Sequence, residues 1–303
     1  EWAEAVQWGR WQHRVSMPTL LRMATHPFTL GLLQGHTLNT RFGPVQWAAG
    51  AKPGSWVIVC APCSLQRAEL GRDRIRLTRA EFTLERDPQM NWRGSFALGD
   101  APSAVRGRWS ARFEAGGADL KFELPTTPMA HGFGLFASVI PELSRAQIEG
   151  SLALKARLRL PSRALHIEPR IEGFSVAGLG TEALATAVPA CARHASATSF
   201  GMWLPRAVIG AEDQRFYDHP GYDLAEIIAA WSANQTPARG ESERSRGAST
   251  LSQQLAKLVY TGSAPSHARK LRELLYAVEM DRVLGKARVL SLYLAIAPWG
   301  DGQ

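Results

Sequence analysis

Residues 211–221 read AEDQRFYDHPG, and this run decides how the C-terminal part of the chain folds and what it can do. It places two adjacent carboxylates, those of Glu212 and Asp213, near the end of a short helical segment. Proline cannot continue a helical hydrogen-bond ladder and glycine permits a reversal, so the chain must turn at Pro220 and Gly221. The run therefore predicts a helix that presents two acidic side chains beside a turn.

The helix before this turn suggests a chemical use for Glu212. Pro205 is well placed to start the helix, and i, i+4 spacing then puts Val208, Glu212 and Phe216 on one face. Apolar neighbours partly desolvate a carboxylate and raise its affinity for a proton, which is how a general base is made. An isolated acidic pair is more often a solvated helix end, so this interpretation depends on the rest of the chain.

A second motif follows at residues 246–257, which read RGASTLSQQLAK. It predicts a flexible loop that runs into a capped helix, because Thr250 and Gln253 have capping-box spacing. Free backbone N–H groups at such a helix start, with Gly247 allowing close approach, suit an anionic or oxygen-rich ligand. Taken alone, the pattern is also that of an ordinary helix N-cap.

A third motif, HARKLRE at residues 267–273, opens another helix. Arg269 lies one turn before Glu273 and Lys270 lies three residues before it, so two cations can hold one carboxylate. The alternative is an ordinary ion-pair cluster on a helix surface.

The order of these motifs is more specific than any one of them. ED-x-x-F-x-x-H-x-G, G-x-S-T-x-x-Q-Q-L-A-K and R-K-x-x-E are followed at residues 286–294 by KARVLSLYL. Together they resemble the peptidoglycan glycosyltransferase domain, the lysozyme-like module of class A penicillin-binding proteins and monofunctional transglycosylases. The resemblance covers about residues 200–302. It implies an all-α, lysozyme-like domain on the periplasmic face of the bacterial inner membrane, beside other cell-wall synthesis proteins.

The resemblance implies a reaction between two lipid-linked sugars. The growing glycan, held through undecaprenyl pyrophosphate, is the donor, and lipid II supplies the attacking 4-hydroxyl. Such a reaction needs a base at the hydroxyl and positive charge at the departing pyrophosphate. By motif match Glu212 is the base, with Asp213 beside it shaping its field, and Glu273 is the second catalytic carboxylate. Arg269 and Lys270 would bind the pyrophosphate beside Glu273, together with a divalent cation such as Mg²⁺ or Mn²⁺.

The remaining motif residues are implied to form the substrate groove and its supporting turn. The groove residues would grip sugar and phosphate oxygens, and the others would fix the turn that presents the base. The implied groove residues, besides Asp213, Arg269 and Lys270, are Ser249, Thr250, Gln253, Gln254 and Lys257. The implied structural residues are Phe216, His219, Gly221 and Gly247.

Several positions depart from the family pattern and keep two other functions open. Ala248 replaces the second glycine of the second motif, and Ser291 and Ala295 stand where the fourth motif commonly has Glu and Asn. The chain stops at Gln303, before the family's last motif, so we expect a glycosyltransferase domain that is incomplete at its C-terminus. One alternative is a degenerate scaffold that binds glycan or lipid II without turnover. The other is a lytic, lysozyme-like enzyme that cleaves glycan.

Net charge is distributed unevenly along the 303 residues, which are enough for two domains. Residues 1–199 carry 23 Lys and Arg against 16 Asp and Glu, whereas residues 200–303 carry 12 against 11. The basic excess therefore lies outside the motifs and is spread along alternating segments. This distribution favours strand faces that point at water over a nucleic-acid patch, so we expect no nucleic-acid partner. Attraction to an anionic membrane surface is the functional alternative.

The sequence contains no apolar run of about 18 residues, the length that predicts a transmembrane helix. It begins at Glu1 without an initiator methionine, so we expect a membrane anchor to lie outside it. Aromatic and basic residues are scattered over residues 2–50. They suit either an interfacial segment or helices that pack on a following sheet, and we expect the helices.

From Ser55 to Val176 the sequence predicts an antiparallel sheet with one face in water, elongated or sandwich-like. Apolar residues alternate with period two in segments that Gly, Pro and Asp clusters separate. The predicted fold is therefore α+β: an accessory domain of residues 1–190, mostly β with leading helices, and an all-α domain of residues 191–303. We expect the accessory domain to bind the membrane or a partner and to catalyse nothing. The predicted strands are 56–61, 75–85, 92–98, 105–114, 119–124, 148–160 and 165–176.

Three cysteines are present, and two of them form a C-x-x-C pair, Cys60 and Cys63. Such a pair can be a redox motif, half of a zinc site or a local disulfide. No second pair at ligand spacing accompanies it, and Pro62 interrupts the helix that a thioredoxin-like motif would need. In an oxidising periplasm a disulfide is the plainest outcome. Cys191 is left over, and we expect it to be buried.

Overall fold

The computed structural model of the protein divides into two compact units, which we call the sheet unit and the helical unit. The sheet unit comprises residues 1–65, 74–135 and 151–172, and the helical unit comprises residues 66–73, 136–150 and 173–303. The predicted boundary at residue 190 lies outside the described residues and stays a prediction. The described residues are 3–8, 11–16, 26–40, 42–65, 74–87, 91–114, 117–160, 162, 164–187, 200–234, 247–263 and 266–299.

The sheet unit is built on one nine-stranded sheet, with strands in the order β3-β4-β5-β8-β9-β10-β11-β12-β13. Each pair from β3 to β12 is antiparallel. The strands of this sheet are β3 (Thr37–Thr40), β4 (Gly43–Ala49), β5 (Ser55–Cys60), β8 (Ala80–Arg86), β9 (Trp92–Leu98), β10 (Val105–Glu114), β11 (Gly117–Pro128), β12 (Gln147–Leu160) and β13 (Ala164–Ala177). Two-stranded sheets are formed by β1 (Ala3–Trp8) with β2 (Trp11–Ser16), and by β6 (Cys63–Leu65) with β7 (Ile75–Leu77).

The predicted antiparallel sheet is confirmed, and each of the seven predicted strand segments contains an observed strand. The predicted segment 75–85 holds two strands, β7 and β8, which Thr78 and Arg79 separate. The sandwich alternative is wrong, because nine of the strands join in one continuous sheet and the remaining described strands form only two-stranded sheets.

The predicted leading helices are confirmed only at residues 27–33, and the other elements in the described part of this segment are strands. Residues 3–49 contain four strands and one helix of seven residues, α1 (Pro27–Leu33), in the described part of this segment. Trp8 and Trp11 have helical i, i+3 spacing, but they are opposite residues at the closed end of the β1–β2 hairpin. A two-residue hairpin connection gives the same sequence separation as a helical turn, so spacing alone could not separate the two.

One face of the nine-stranded sheet is apolar. Its most buried residues are Leu84, Trp92 and Ala111, and partly buried aromatic side chains pack around them. The indole N–H of Trp109 donates to the carbonyl of Thr83 across strand β9, at 3.0 Å. Gly94 lies beneath that indole, and a Cβ there would come within 2.9 Å of the indole nitrogen. The opposite face is exposed and charged, as predicted.

The cysteine pair lies in the sheet unit, where β5 ends and β6 begins. Cys60 and Cys63 are joined by a disulfide, with their Cα atoms 5.5 Å apart. Cys191 lies outside the described residues.

The helical unit contains four helices and two 3₁₀ turns in its described part. Its longest helix, α6, is interrupted at Gly285, whose φ of +72° is a left-handed conformation. The core is apolar and closely packed, and Leu251, Leu255, Leu275 and Met280 are fully buried. The helices are α3 (Trp203–Glu212), α4 (Leu224–Asn234), α5 (Leu251–Ala256) and α6 (His267–Ile296), after α2 (Met129–Gly134) of the sheet unit, and the turns are Pro141–Ser144 and Thr181–Ala185.

Buried charges hold the two turns onto α6 within the helical unit. Arg272 on α6 donates to both carboxylate oxygens of Glu142, at 2.6 to 2.9 Å, although Glu142 is only 5% exposed. The carboxylate of Glu279, also buried, accepts the backbone N–H groups of Leu179 and Thr181. Because an unpaired buried charge is costly, these contacts fix where the segments 136–150 and 173–187 lie on the helix.

Candidate functional site

The first motif lies at the end of α3, and Glu212 is the last residue of that helix. The helix begins at Trp203, two residues before Pro205, and Phe216 falls in the turn that follows it. The predicted helical face is therefore wrong beyond Glu212. The side chain of Glu212 is exposed, so the predicted apolar flanks do not desolvate it.

Glu212 is held by a hydrogen bond that is itself part of a short chain of side chains. Its Oε2 accepts a hydrogen bond from the amide of Gln254 on α5, at 2.9 Å. The carbonyl oxygen of that amide accepts from the hydroxyl of Tyr293 on α6, also at 2.9 Å. Burial raises the pKa of Tyr293, and the neighbouring Glu212 charge raises it further, so the phenol stays protonated. Tyr293 thus fixes which end of the amide faces the carboxylate.

Asp213 lies beneath the site and is 8% exposed. One of its carboxylate oxygens accepts the backbone N–H of Leu251 at 2.9 Å, and both lie 3.0 to 3.1 Å from Nε2 of His219. A carboxylate at the first turn of a helix also interacts favourably with the helix dipole. Asp213 therefore joins the first motif to the start of α5, which differs from the substrate contact that the resemblance implies.

The turn after Asp213 is packed against α6. Phe216 is fully buried, and the Lys286 ammonium lies 4.7 Å from the centre of its ring. The same ammonium donates to the backbone carbonyl of His219 at 2.5 Å. Gly221 has a φ of +87°, and a Cβ there would lie 2.5 Å from the carbonyl oxygen of Ala277. This close approach requires glycine.

The second motif begins α5 with the predicted capping box. The Thr250 hydroxyl accepts the Gln253 N–H at 3.2 Å, and the Gln253 side chain accepts the Thr250 N–H at 3.0 Å. The Thr250 hydroxyl also donates to the carbonyl of Gly221 at 2.7 Å. Both side chains are buried. Thr250 and Gln253 therefore bind the protein itself, whereas Gln254 and Ser249 remain partly accessible.

The third motif forms a cluster of three charged side chains, in which two cations surround Glu273, and Glu273 is 1% exposed. The Arg269 guanidinium forms an ion pair with it, and the Lys270 ammonium lies 3.0 Å from its second oxygen. The surface ion-pair alternative is wrong, because the carboxylate is buried. Lys270 also donates to the hydroxyl of Ser249 at 2.6 Å, so it connects this cluster to the loop of the second motif.

The residues of this cluster are poorly suited to hold a divalent cation by themselves. Arg269 and Lys270 already neutralise Glu273. Among the residues that the structure describes, no three His, Cys, Asp or Glu side chains come together as a metal site requires. The two cations supply positive charge at the place where the resemblance implied a metal.

A polar cleft of about 310 Å³ joins the first two motifs. Glu212 lies on one wall, and Ser249 lies on the other, in the loop before α5. Arg215 and Asp223 close the cleft with a bidentate ion pair. Burial alone would raise the pKa of Asp223, but its hydrogen bonds to Arg215 and the Glu226 N–H lower it. The lining residues are 211–215, Asp223, Glu226 and 247–250.

Other predicted positions lie at the margins of this cleft or beyond it. Gly247 and Ala248 line it directly. Lys257 is partly buried where α5 passes into one π-helical turn, Lys257–Thr261. Ser291 and Ala295 are partly buried on the last turns of α6.

Sequence reasoning assigned no role to Tyr293, Lys286, Arg272 or Glu142. Tyr293 and Lys286 lie in the fourth motif, which could have pointed to them. The pairing of Glu142 with Arg272 spans 130 residues, and no local sequence pattern indicates such a contact.

Comparison with known proteins gives a consistent result for this part of the chain. Residues 184–303 match the family model described as Transglycosylase. Relatives named biosynthetic peptidoglycan transglycosylase include that of Bordetella pertussis, 40% identical over 99 residues, which are 33% of this chain and 41% of the relative. The protein of Stutzerimonas stutzeri is 48% identical over 99 residues, 33% of this chain and 39% of the relative. That of Citrobacter koseri is 36% identical over 153 residues, 50% of this chain and 59% of the relative. The chain thus spans between about two fifths and three fifths of these relatives.

Proposed function

We propose, from the match of residues 184–303 to the Transglycosylase family model, that the protein is a peptidoglycan glycosyltransferase. It polymerises lipid II into glycan strands and releases undecaprenyl pyrophosphate. The single observation that carries the proposal is the cleft itself. An oriented carboxylate, Glu212, lies on one wall, and the other wall is tied through Ser249 to a cationic cluster.

Glu212 acts as the general base in this proposal. It is the exposed carboxylate of the acidic pair Glu212 and Asp213, and it already accepts a hydrogen bond from Gln254 at 2.9 Å. One of its two oxygens is thereby held in place, and the other can accept the proton of an incoming 4-hydroxyl. A base must lie within hydrogen-bond reach of the proton that it removes, and a fixed orientation favours this geometry. Because the Glu212 side chain is exposed, the bound substrate itself would exclude water from the Glu212 carboxylate.

Lys270 stabilises the departing pyrophosphate in this proposal. The Lys270 side chain is 46% exposed, whereas that of Arg269 is 13% exposed. Arg269 therefore serves mainly to neutralise Glu273, and the cluster as a whole keeps one net positive charge. Preorganised positive charge at a leaving group lowers the barrier because it needs no rearrangement during the reaction. Any divalent cation would have to rely mainly on pyrophosphate oxygens for its ligands.

The surface beside α3 supports a position at a membrane, and the proposed reaction would place it at the periplasmic face. No helix in the described part of the chain is long and apolar enough to cross a bilayer. The beginning of α3 nevertheless exposes large apolar side chains, with Trp203 at 75% and Met202 at 59%. Tyr217 is 64% exposed, and Arg206 adds a positive charge to the same region. Aromatic and basic side chains together suit a lipid interface, where the substrate would be held.

Product analysis tests the proposed function against its two alternatives. The full-length protein is incubated separately with labelled lipid II and with purified cell-wall sacculi, and the products are sized. The proposal expects a polymer from lipid II and no fragments from sacculi. Fragments from sacculi would instead identify a lytic enzyme. Binding of lipid II without turnover would identify a scaffold, the alternative that Ser291 and Ala295 favour.

A further inference from the structure

We propose that the charged face of the nine-stranded sheet binds a carboxylate-bearing glycan chain. The site lies in the sheet unit, and the reaction derived above does not use it. This inference rests on the proposed function in one respect, because the occupant that it names is the kind of glycan such an enzyme would make. Its binding test is independent of turnover.

The charged face forms a trough of about 950 Å³, and the trough runs across seven strands. Adjacent strands lie about 4.8 Å apart, so the trough is roughly 29 Å long. Its lining comes from β5 and from each of the strands β8 to β13. A long, narrow trough suits an extended chain that lies across the strands.

Two rows of side chains form the floor of the trough. Strand residues alternate between faces, so every second lining residue points into the trough and the residue between contributes main chain. The antiparallel register fixes which residues stand side by side. One row contains Ser95, Arg108, Glu123 and Lys155, and the other contains Arg93, Ser110, Lys121 and Arg157.

The trough has an excess of positive charge. Six lysines and arginines line it, against three glutamates, Glu85, Glu123 and Glu168. Arg93 is paired with Glu85 at 2.7 Å, and Lys52 lies 3.7 Å from the same carboxylate. The six cations are Lys52, Arg93, Arg108, Lys121, Lys155 and Arg157.

Three central cations have no ion-pair partner among the described residues. They are Arg108, Lys121 and Lys155, and all three are exposed. Arg157 lies directly opposite Lys121 on the neighbouring strand and already forms an ion pair with Asp119 at 2.6 Å, whereas Lys121 forms none within the described part of the chain. An anionic ligand that lies across the three strands would be attracted by all three cations together.

The polar side chains between these cations point to a sugar chain. Hydroxyl groups of Thr83, Ser95 and Ser110 lie among the charges, and Glu123 can accept hydrogen bonds from sugar hydroxyls. Of the side chains in the two described rows, none is aromatic, although base stacking on aromatic rings is the usual basis of single-strand nucleic-acid binding. A recessed floor also contacts an extended chain better than it contacts a flat bilayer. A glycan that carries carboxylates matches both the charge and the hydroxyl groups.

Oligogalacturonate is a suitable probe, because it is a soluble glycan with a carboxylate on every sugar. Its methyl ester is the matched neutral control. Binding of both to the full-length protein is measured by fluorescence anisotropy at low ionic strength. We expect the acid to bind, and we expect the ester to bind at least about tenfold more weakly. Added salt should weaken binding of the acid, because the charges are exposed and screened.

Two triple variants with the same change in charge separate the trough from net charge. The trough variant is Arg108→Gln with Lys121→Gln and Lys155→Gln. We expect it to bind the acid at least about tenfold more weakly than the unmodified protein, a loss of about 1.4 kcal/mol. The control variant should change binding by less than about twofold, since its cations lie on the same face but outside the trough lining. The control substitutions are Arg106→Gln, Arg112→Gln and Arg170→Gln.

Three results would overturn the proposal. The first is an equal loss in the two triple variants, with unchanged melting temperatures, which would assign binding to net charge. The second is equal binding of acid and ester. The third is binding of phosphatidylglycerol vesicles, but not oligogalacturonate, through the same three cations, which would make a membrane the ligand. Failure of the proposed function is distinguishable, because Glu212→Gln should abolish lipid II turnover and leave binding of the acid unchanged.

Discussion

The hydroxyl of Tyr293 should contribute to the polymerisation rate, although it acts on Glu212 only through the side chain of Gln254. Substituting Tyr293→Phe removes the donor to Gln254, which lies 2.9 Å away. A neutral hydrogen bond contributes about 1 kcal/mol, so the amide should lose its fixed orientation and kcat should fall about fivefold. Substituting Gln254→Ala removes the bond to the carboxylate itself. A hydrogen bond to a charged group is worth about 2 kcal/mol, so kcat should fall roughly thirtyfold.

Initial rates of lipid II polymerisation by the full-length protein test this order of effects. Tyr217→Phe is the matched control, because it removes the hydroxyl of an exposed tyrosine outside the cleft lining and keeps the aromatic ring of the proposed lipid interface. Its rate should stay within about twofold of the unmodified protein, a spread smaller than the loss of one hydrogen bond. The double variant of Tyr293 and Gln254 should be no slower than Gln254→Ala, because both substitutions act through one amide. An unchanged rate in both single variants would refute the orientation of Glu212 by Gln254.

Three further predictions concern the cationic cluster, the turn and the buried ion pair. Lys270→Gln should weaken use of the donor more than use of the acceptor, measured as separate kinetic constants, because the departing group carries the negative charge. Gly221→Ala should destabilise the protein by at least about 2 kcal/mol in chemical unfolding, whereas Gly201→Ala, with φ +60° and open space, should cost only about 1 kcal/mol. Burial would raise the pKa of Glu142, but the hydrogen bonds and charge of Arg272 outweigh burial and hold that pKa below its usual value. The ion pair should therefore stabilise the fold fully above about pH 4.5, and this stabilisation should be lost as pH falls through the lower pKa of the folded state. Glu142→Gln should therefore lower the free energy of unfolding by about 3 kcal/mol at pH 7 and by less at pH 3.

The sheet could be predicted from the sequence because alternation is a local property. In β10 and β12 each second residue is apolar, and the predicted ranges agree closely with the observed ones. The first strands of the leading segment were predicted wrongly as helix, because Trp8 and Trp11 are neighbours both in a helix and across a hairpin. Only the pairing of the two strands distinguishes the hairpin from a helix, and a local sequence pattern does not show that pairing.

The site could be located from its motifs, but the environment of each side chain could not. The motif places Glu212 and Asp213 side by side, yet the end of α3 leaves the first exposed and buries the second. The predicted desolvation of Glu212 failed for this reason. Thr250 and Gln253 were assigned to the groove, and the capping box that the same sequence predicts uses both of them internally.

Contacts between distant segments lie beyond local sequence reasoning. The hydroxyl of Tyr293 lies 39 residues from Gln254, and Glu142 lies 130 residues from Arg272. No local pattern indicates either of these two contacts, and both depend on how α6 packs on the other segments. The lysozyme-like fold of the helical unit and the roles of the motif residues stay predictions.

The effect of Glu212→Gln on lipid II polymerisation tests the central claim most directly. Glutamine keeps the size of the side chain but cannot accept a proton, so the rate in the full-length protein should fall at least about a hundredfold. Asp218→Asn is the matched control, since it removes an exposed carboxylate from the turn that follows Glu212. This variant should keep its rate within about threefold of the unmodified protein, a smaller change than the loss of one charge-assisted hydrogen bond. Near-normal turnover by a folded Glu212→Gln protein would contradict the assignment of Glu212 as the base.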